Sequence, residues 1–159
     1  NKPKINRVKE KRLKEQKKVE REKTKELKDE LKPFSKIKHE AKAEVQKYAR
    51  LRDSNQKCIS CDKVFSLGEK ADGGHYRKAE VYHGVICNPD NIHKQCVYCN
   101  QRLNGNEVNY RKGLIARYGL EFVENLEELA EKTKHQVNSR DFYLSVKKEF
   151  AEKNKIFKK

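Results

Sequence analysis

The sequence predicts an α+β protein: a small core of two strands and a helix, stapled along one edge by cysteines and flanked by α-helices. Two C-x-x-C pairs, Cys58–Cys61 and Cys96–Cys99, frame that core. Between them Gly68, Gly73, Gly74, Gly84, Asn88-Pro89 and Asn91 cut the chain into short segments, the pattern of turns and short strands. On either side the apolar residues recur at helical spacing.

Taken in order, residues 1–33 read as a basic arm, with 14 Lys or Arg against 7 Asp or Glu in its first 32 positions. Lys, Glu, Arg, Gln and Leu favour helix, and Pro33 ends the run. Apolar residues are too sparse there for a heptad seam, so a solvated single helix or a disordered arm is expected. Residues 34–55 hold a helix from Ser35, as N-cap, to about Arg52. Its core stripe is Ile37, Ala41, Val45 and Tyr48, with Leu51 or Ala49, and Asp53-Ser54-Asn55 closes it. Residues 56–109 form the core itself: a knuckle at Cys58–Cys61, a strand around His75-Tyr76, a strand from Asn91 to Gln95, and a short helix from Val97 to about Leu103. Residues 110–159 are helical again. Tyr110–Tyr118 stops at Gly119, a helix runs from Leu120 to about Lys134, and Ser139 caps a last helix striped by Phe142, Val146 and Phe150.

Composition narrows the function classes. Of 159 residues, 35% are apolar and 40% charged, so the core must be local and one globule filling the whole length is not expected. A net charge of +15 points to a polyanionic partner, since each phosphate neutralised releases a counterion. An acidic membrane surface is the competing partner, but neither a long apolar run nor an amphipathic basic helix with large apolar residues supports it. Five cysteines, four of them paired at C-x-x-C spacing, argue against a secreted disulfide framework and for a reducing compartment. Cys87 is left over and reads as a small buried hydrophobe. No signal peptide is identifiable. The chain has no methionine, so Asn1 is not read as a natural start, and a fragment or trimmed chain is expected.

The two cysteine pairs are a zinc signature: tetrahedral zinc takes four thiolates, and each pair makes a knuckle. Full coordination by Cys58, Cys61, Cys96 and Cys99 leaves no open position, so this zinc is structural and any chemistry must come from other residues. Within and beside the clamp stand residues that a knuckle does not need. Hydrolysis of a phosphodiester requires a base to activate water, a divalent cation for the developing charge, and a held substrate. His75, preceded by two glycines that let backbone approach a phosphate, suits the first task near neutral pH. Asp72 and Asn100 offer oxygens to hard magnesium, or manganese. Arg77, Lys78, Lys94 and Arg102 surround the site as phosphate clamps. His93, two residues after Asn91 and on the same strand face, is a candidate phosphate contact or acid, with packing or exposure as the bland alternative. Asn104, one helical turn beyond Asn100, either touches the metal's water shell or caps toward Gly105. His83 can be a loop histidine without a role, and His39 and His135 are assigned none.

The segment Asp72-Gly-Gly-His75-Tyr, followed by Asn91-Ile-His-Lys-Gln-Cys-Val-Tyr-Cys-Asn100-Gln, resembles the HNH (ββα-metal) nucleases in their H-N-N form. More narrowly, Cys58-Ile-Ser-Cys61, Gly-His75-Tyr-Arg and the Asn91-to-Asn100 stretch resemble the NinG (Rap) family of lambdoid phages, over roughly residues 34 to 155. The clamp with Asn after its last cysteine is also similar to that of the junction-resolving endonuclease VII. The resemblance implies a recombination nuclease that cuts branched DNA, Holliday junctions and D-loops included. On it, His75 is the general base, Asn91 braces the loop that orients the histidine, and Asn100 is a magnesium ligand. The departure is Gly74, where many HNH enzymes carry a metal-binding Asp; Asp72 is the candidate substitute.

The expectation is therefore a magnesium-dependent, structure-selective DNA endonuclease that reads branch geometry more than base sequence, no recognition helix or base-reading finger being visible. Paired incisions at a junction make a homodimer expected on symmetry grounds. Phage or host recombination proteins are candidate partners, and the host bacterial cytoplasm is the expected compartment for a phage-encoded chain. The alternatives are a non-catalytic zinc module that binds nucleic acid and a general nicking HNH endonuclease.

Overall fold

The computed structural model describes residues 2–157, with side chains from Arg7 onward. The chain divides into two units, Asn1–Ile37 and Lys38–Lys159. In the first, the basic arm is helical: α1 (Lys2–Glu30) runs unbroken. Among its described side chains the apolar ones, Val8, Leu13, Val19 and Leu27, are all exposed, as expected of a helix with no stripe to bury.

Helix α2 (Phe34–Arg52) begins one residue earlier than its sequence suggests. Ser35 therefore lies inside the first turn and is not the cap. The carbonyl of Pro33 takes that place, accepting from the amides of Lys36 and Ile37 at 3.0 and 3.2 Å. Ile37, Ala41, Val45 and Ala49 are fully buried at i, i+4 spacing, while Tyr48 and Leu51 lie on the flanks of the stripe.

The second unit is built round a two-stranded antiparallel sheet. Strand β1 (Ala71–His75) pairs with β2 (Ile92–Cys96), with Asp72 opposite Gln95, Gly74 opposite His93 and His75 opposite Ile92. Side chains alternate along a strand, so Asp72, Gly74, His93 and Gln95 share one face, and Gly73 and His75 take the other. Helix α2 closes the second face: an added Cβ at Gly73 would sit 2.7 Å from the Gln46 carbonyl oxygen, so only glycine permits this approach. The Gln46 amide donates to the Gly73 carbonyl at 3.1 Å. Two short 3₁₀ turns, His83–Val85 and Pro89–Asn91, join the strands, the second capped by the Asn88 side chain.

After β2 the sequence suggests a short α-helix, and the chain instead makes one wide π-helical turn, Tyr98–Arg102. The amide of Leu103 reaches back five residues to the Tyr98 carbonyl at 3.0 Å. Cys99 is held at the start of this turn by its knuckle, and Asn104, Gly105 and Asn106 all adopt positive φ directly after it. A helix pinned at one end and reversed at the other has room for a single turn.

Helices α3 (Glu107–Tyr118) and α4 (Leu120–Lys132) follow, with Gly119 (φ 88°) between them. Tyr110 and Leu114 of α3, Val123, Leu126 and Ala130 of α4, and Ile59, Tyr76 and Val85 form one buried cluster. Helix α5 (Arg140–Ile156) starts on the predicted cap, the Ser139 hydroxyl accepting from the Phe142 amide at 3.1 Å. It meets α2 through the edge of Phe150 on Tyr48, 5.2 Å between ring centres, and through Asn154, which donates to the Glu44 carbonyl and carboxylate. Among the described residues no helix is long and apolar enough to cross a membrane.

Candidate functional site

The four cysteines converge. The sulfurs of Cys58, Cys61, Cys96 and Cys99 all lie within 4.8 Å of one another, near enough to hold a single metal ion. Tetrahedral zinc with Zn–S bonds of about 2.3 Å separates its sulfurs by about 3.8 Å, and Cys61 and Cys96 stand 3.8 Å apart. Backbone and side-chain N–H groups point at the sulfurs, as thiolates require. The Cys96 amide donates to Cys58 at 3.3 Å, the Cys99 amide to Cys96 at 3.4 Å, and the Asn106 side chain to Cys99 at 3.4 Å. Phe65 packs over the cluster and only Cys61 is exposed. The donor set fits zinc, and it ties the turn before β1 to the end of β2.

His75 closes β1. Its Nε2 lies 2.9 Å from the Ile86 carbonyl oxygen, a group that can only accept, so Nε2 carries the proton and Nδ1 keeps the free lone pair. Burial lowers the pKa of His75 below its ordinary value, and the nearby charge of Lys42 acts the same way, so the ring is neutral at pH 7. Asn91 is fully buried beneath the loop after β1. It accepts from the Arg77 amide at 2.7 Å and donates to the carbonyls of Arg77 and Val85 at 2.9 and 3.2 Å. One side chain thereby clips together the two ends of the segment that leads from His75 to Ile86.

On the opposite face of β1 a cluster of oxygens gathers. Asn100, on the π turn, donates through Nδ2 to Asp72 at 2.9 Å, and Gln101 donates to the same carboxylate oxygen at 2.8 Å. An added Cβ at Gly74 would lie 3.1 Å from Asn100 Oδ1 and 2.1 Å from Gln95 Oε1. Asp72, Asn100, Gly74 and Gln95 thus meet at one spot, while His75 stands across the strand from them. A carboxylate with amide oxygens is the donor chemistry a hard divalent cation takes.

The basic residues divide. Arg102 is exposed and Lys78 half-exposed, as phosphate contacts must be. His93 and Lys94, expected at the DNA surface, are withdrawn from it. His93 is 1% exposed and lies 3.2 Å from the Tyr110 hydroxyl, which donates to the Gly74 carbonyl at 2.9 Å; burial pushes its pKa down to about 3. Lys94 is 8% exposed; its ammonium donates to the Ser54 carbonyl at 2.7 Å and rests over the Phe65 ring. Strand β2 is buried along its whole length, a consequence of helices and knuckle covering both faces. Arg77 is also engaged, paired with Glu107 at 2.8 Å and Glu127 at 3.3 Å, so it ties α3 and α4 to the loop after β1. Asn104, expected on the face of Asn100, sits beyond the π turn with φ of 49°. Cys87 is buried as expected, and burial pushes its thiol pKa up to about 12.

Residues that sequence reasoning passed over complete the arrangement. Arg52 and Asp53 pair at 2.7 and 2.9 Å, and they bind the backbone of Pro89, Ile92 and Lys94. They anchor β2 against the end of α2. Gln95 and Gln101 flank Asp72 and Asn100, yet an isolated glutamine carries no spacing signal by which it can be found.

The family model described as Bacteriophage Lambda NinG protein matches residues 1–159. The "Protein ninG" of Escherichia phage lambda is 41% identical over 96 residues, 60% of this chain and 46% of that protein. Those of Escherichia phage 933W and Salmonella phage P22 are 40% and 38% identical over the same length, covering 47% and 46% of those proteins. The chain spans about half the length of the curated relatives it matches. No solved structure matches it. With a family match along its full length, the chain belongs to the NinG family of lambdoid bacteriophages.

Proposed function

We propose that this chain carries the active site of a divalent-metal-dependent endonuclease that cuts branched DNA, built on an HNH-type core. The observation that carries the reading is His75: a neutral imidazole whose Nε2 is committed to a backbone carbonyl, leaving Nδ1 free to take a proton from water. Asn91 holds the loop that supplies that carbonyl. Across β1, Asp72 and Asn100 present oxygens that suit magnesium or manganese, and when bound the cation supplies charge stabilisation at the phosphate and the leaving oxygen. The cysteine knuckles hold β2 and the π turn in register, so zinc orients Asn100 without touching substrate.

A net charge of +15 suits a phosphate-rich partner read through backbone placement, and the exposed charged helix α1 supplies much of it. Two incisions across a four-way junction call for two copies of the site, so a homodimer on the junction belongs to the proposal. The same holds for action beside recombination proteins in the host cytoplasm.

The test compares an immobile four-way junction with a linear duplex of the same arms, using zinc-loaded wild type and His75→Ala, with and without magnesium. Junction-selective, magnesium-dependent cutting that disappears in the variant is the expected result. Cutting of both substrates alike would reduce the reading to a general nicking nuclease. Tight junction binding without cutting under any divalent ion would leave a binding module in its place.

A further inference from the structure

Among the described residues, four buried side-chain atoms of the second unit lack a hydrogen-bond partner, and one of them, Gln95 Oε1, lies beside Asn100 and Gly74. Gln95 is fully buried on β2, yet its Oε1 makes no hydrogen bond. The amide orientation is not ambiguous. Nε2 donates to the Ser60 hydroxyl and to the Gly105 carbonyl, both at 2.7 Å, and a flipped amide would set oxygen against the Gly105 oxygen. Oε1 therefore points the other way, into the space beside Gly74. There it lies 2.1 Å from where a Cβ at position 74 would be, and Asn100 Oδ1 lies 3.1 Å from the same point. A buried amide oxygen without a donor is unfavourable, unless something at that spot uses it.

We propose that Gln95 Oε1 is a ligand of the divalent cation, joining Asn100 Oδ1 and the Asp72 carboxylate. The inference rests on the ion-dependent nuclease reading and adds the donor that reading lacks. It also accounts for Gly74: any side chain at that position would collide with Oε1, so the glycine and the glutamine are one device. An oxygen that would otherwise hang from β1 arrives instead from the opposite strand. Because Ser60 belongs to the first cysteine knuckle and Gly105 follows the second, the zinc cluster aims this oxygen.

The probe is Mn²⁺ titrated into the zinc-loaded chain without DNA, free ion being read by electron paramagnetic resonance. Gln95→Ala is expected to weaken Mn²⁺ binding by at least about tenfold while zinc content is retained. Gly74→Ala, which removes no ligand but pushes a methyl into Oε1, is expected to weaken it as well. A measurement on the unsubstituted chain avoids any folding defect: substoichiometric Mn²⁺ should broaden the Gln95 and Asn100 side-chain amide signals in a ¹⁵N spectrum. Mn²⁺ binding unchanged in Gln95→Ala overturns the proposal. So do a sharp Gln95 signal beside a broadened Asn100 signal, and a chain that binds no Mn²⁺. Mn²⁺ held through Gln95 without any junction cutting would sink the nuclease reading and leave this site standing. Cutting with Gln95 indifferent to Mn²⁺ would do the reverse.

Discussion

At the scale of single residues, two histidines eighteen positions apart in the sequence, His75 and His93, meet opposite fates through burial. His75 and His93 are both neutral, but His93 is packed against Tyr110 with no open side, while His75 keeps Nδ1 unbonded. The lowered pKa of His75 has a direct kinetic consequence. A base works only when unprotonated, so the cutting rate falls as pH drops through its folded pKa. That pKa lies below the ordinary histidine value of about 6.5, so the acid limb of the rate should lie below about pH 6.5. A rate profile measured in magnesium on a junction substrate checks this. An acid limb at or above that value would show that His75 is not the group being titrated. His75 and Asn91 were legible because their positions form a pattern; Gln95 was not, because an orphaned oxygen exists only once the chain is folded.

At the scale of elements, the π turn and the approach of α3 to the first knuckle decide where Asn100 stands. Helical spacing placed α3, α4 and α5 close to their observed bounds, since a continuous apolar stripe reports a buried face wherever it lands. The turn Tyr98–Arg102 falls where the sequence suggests a short α-helix after the second strand. Local preference cannot register that Cys99 is pinned and that the chain reverses at Asn104. Gly113 shows what the contact between α3 and the knuckle demands. A Cβ there would lie 1.8 Å from the Ile59 carbonyl oxygen, a backbone atom that cannot rotate away. Gly113→Ala should therefore destabilise the second unit by roughly 1–3 kcal/mol, although alanine is the better helix former. Urea denaturation of the zinc-loaded chain measures it, and an unchanged or raised midpoint would mean that α3 stands further from the knuckle.

At the scale of the whole molecule, stability and site geometry share one dependence on the cysteine cluster. A chain with only 35% apolar residues has a small core, and the cluster joins the segment before β1 to the end of β2. Removing zinc with a strong chelator should therefore lower the melting temperature of the second unit and loosen residues 58–105. Far-ultraviolet circular dichroism should keep much of its helical signal, because α1 makes no use of the cluster. A melting transition indifferent to chelation would show that packing alone holds the sheet, and the role given to zinc in aiming Asn100 and Gln95 would fall with it.

The sequence by itself determined the helical segments, the four cysteines of the cluster, the net positive charge and the family, because each depends on spacing or composition along the chain. Only the tertiary structure decided which polar residues reach the surface. Lys94 and His93 look like any basic pair until both faces of β2 are covered. It also decided that Arg77 serves the helices, and that Gly74 and Gln95 share one space. Such facts arise between strands and helices distant in sequence, where packing, not local preference, chooses the neighbour.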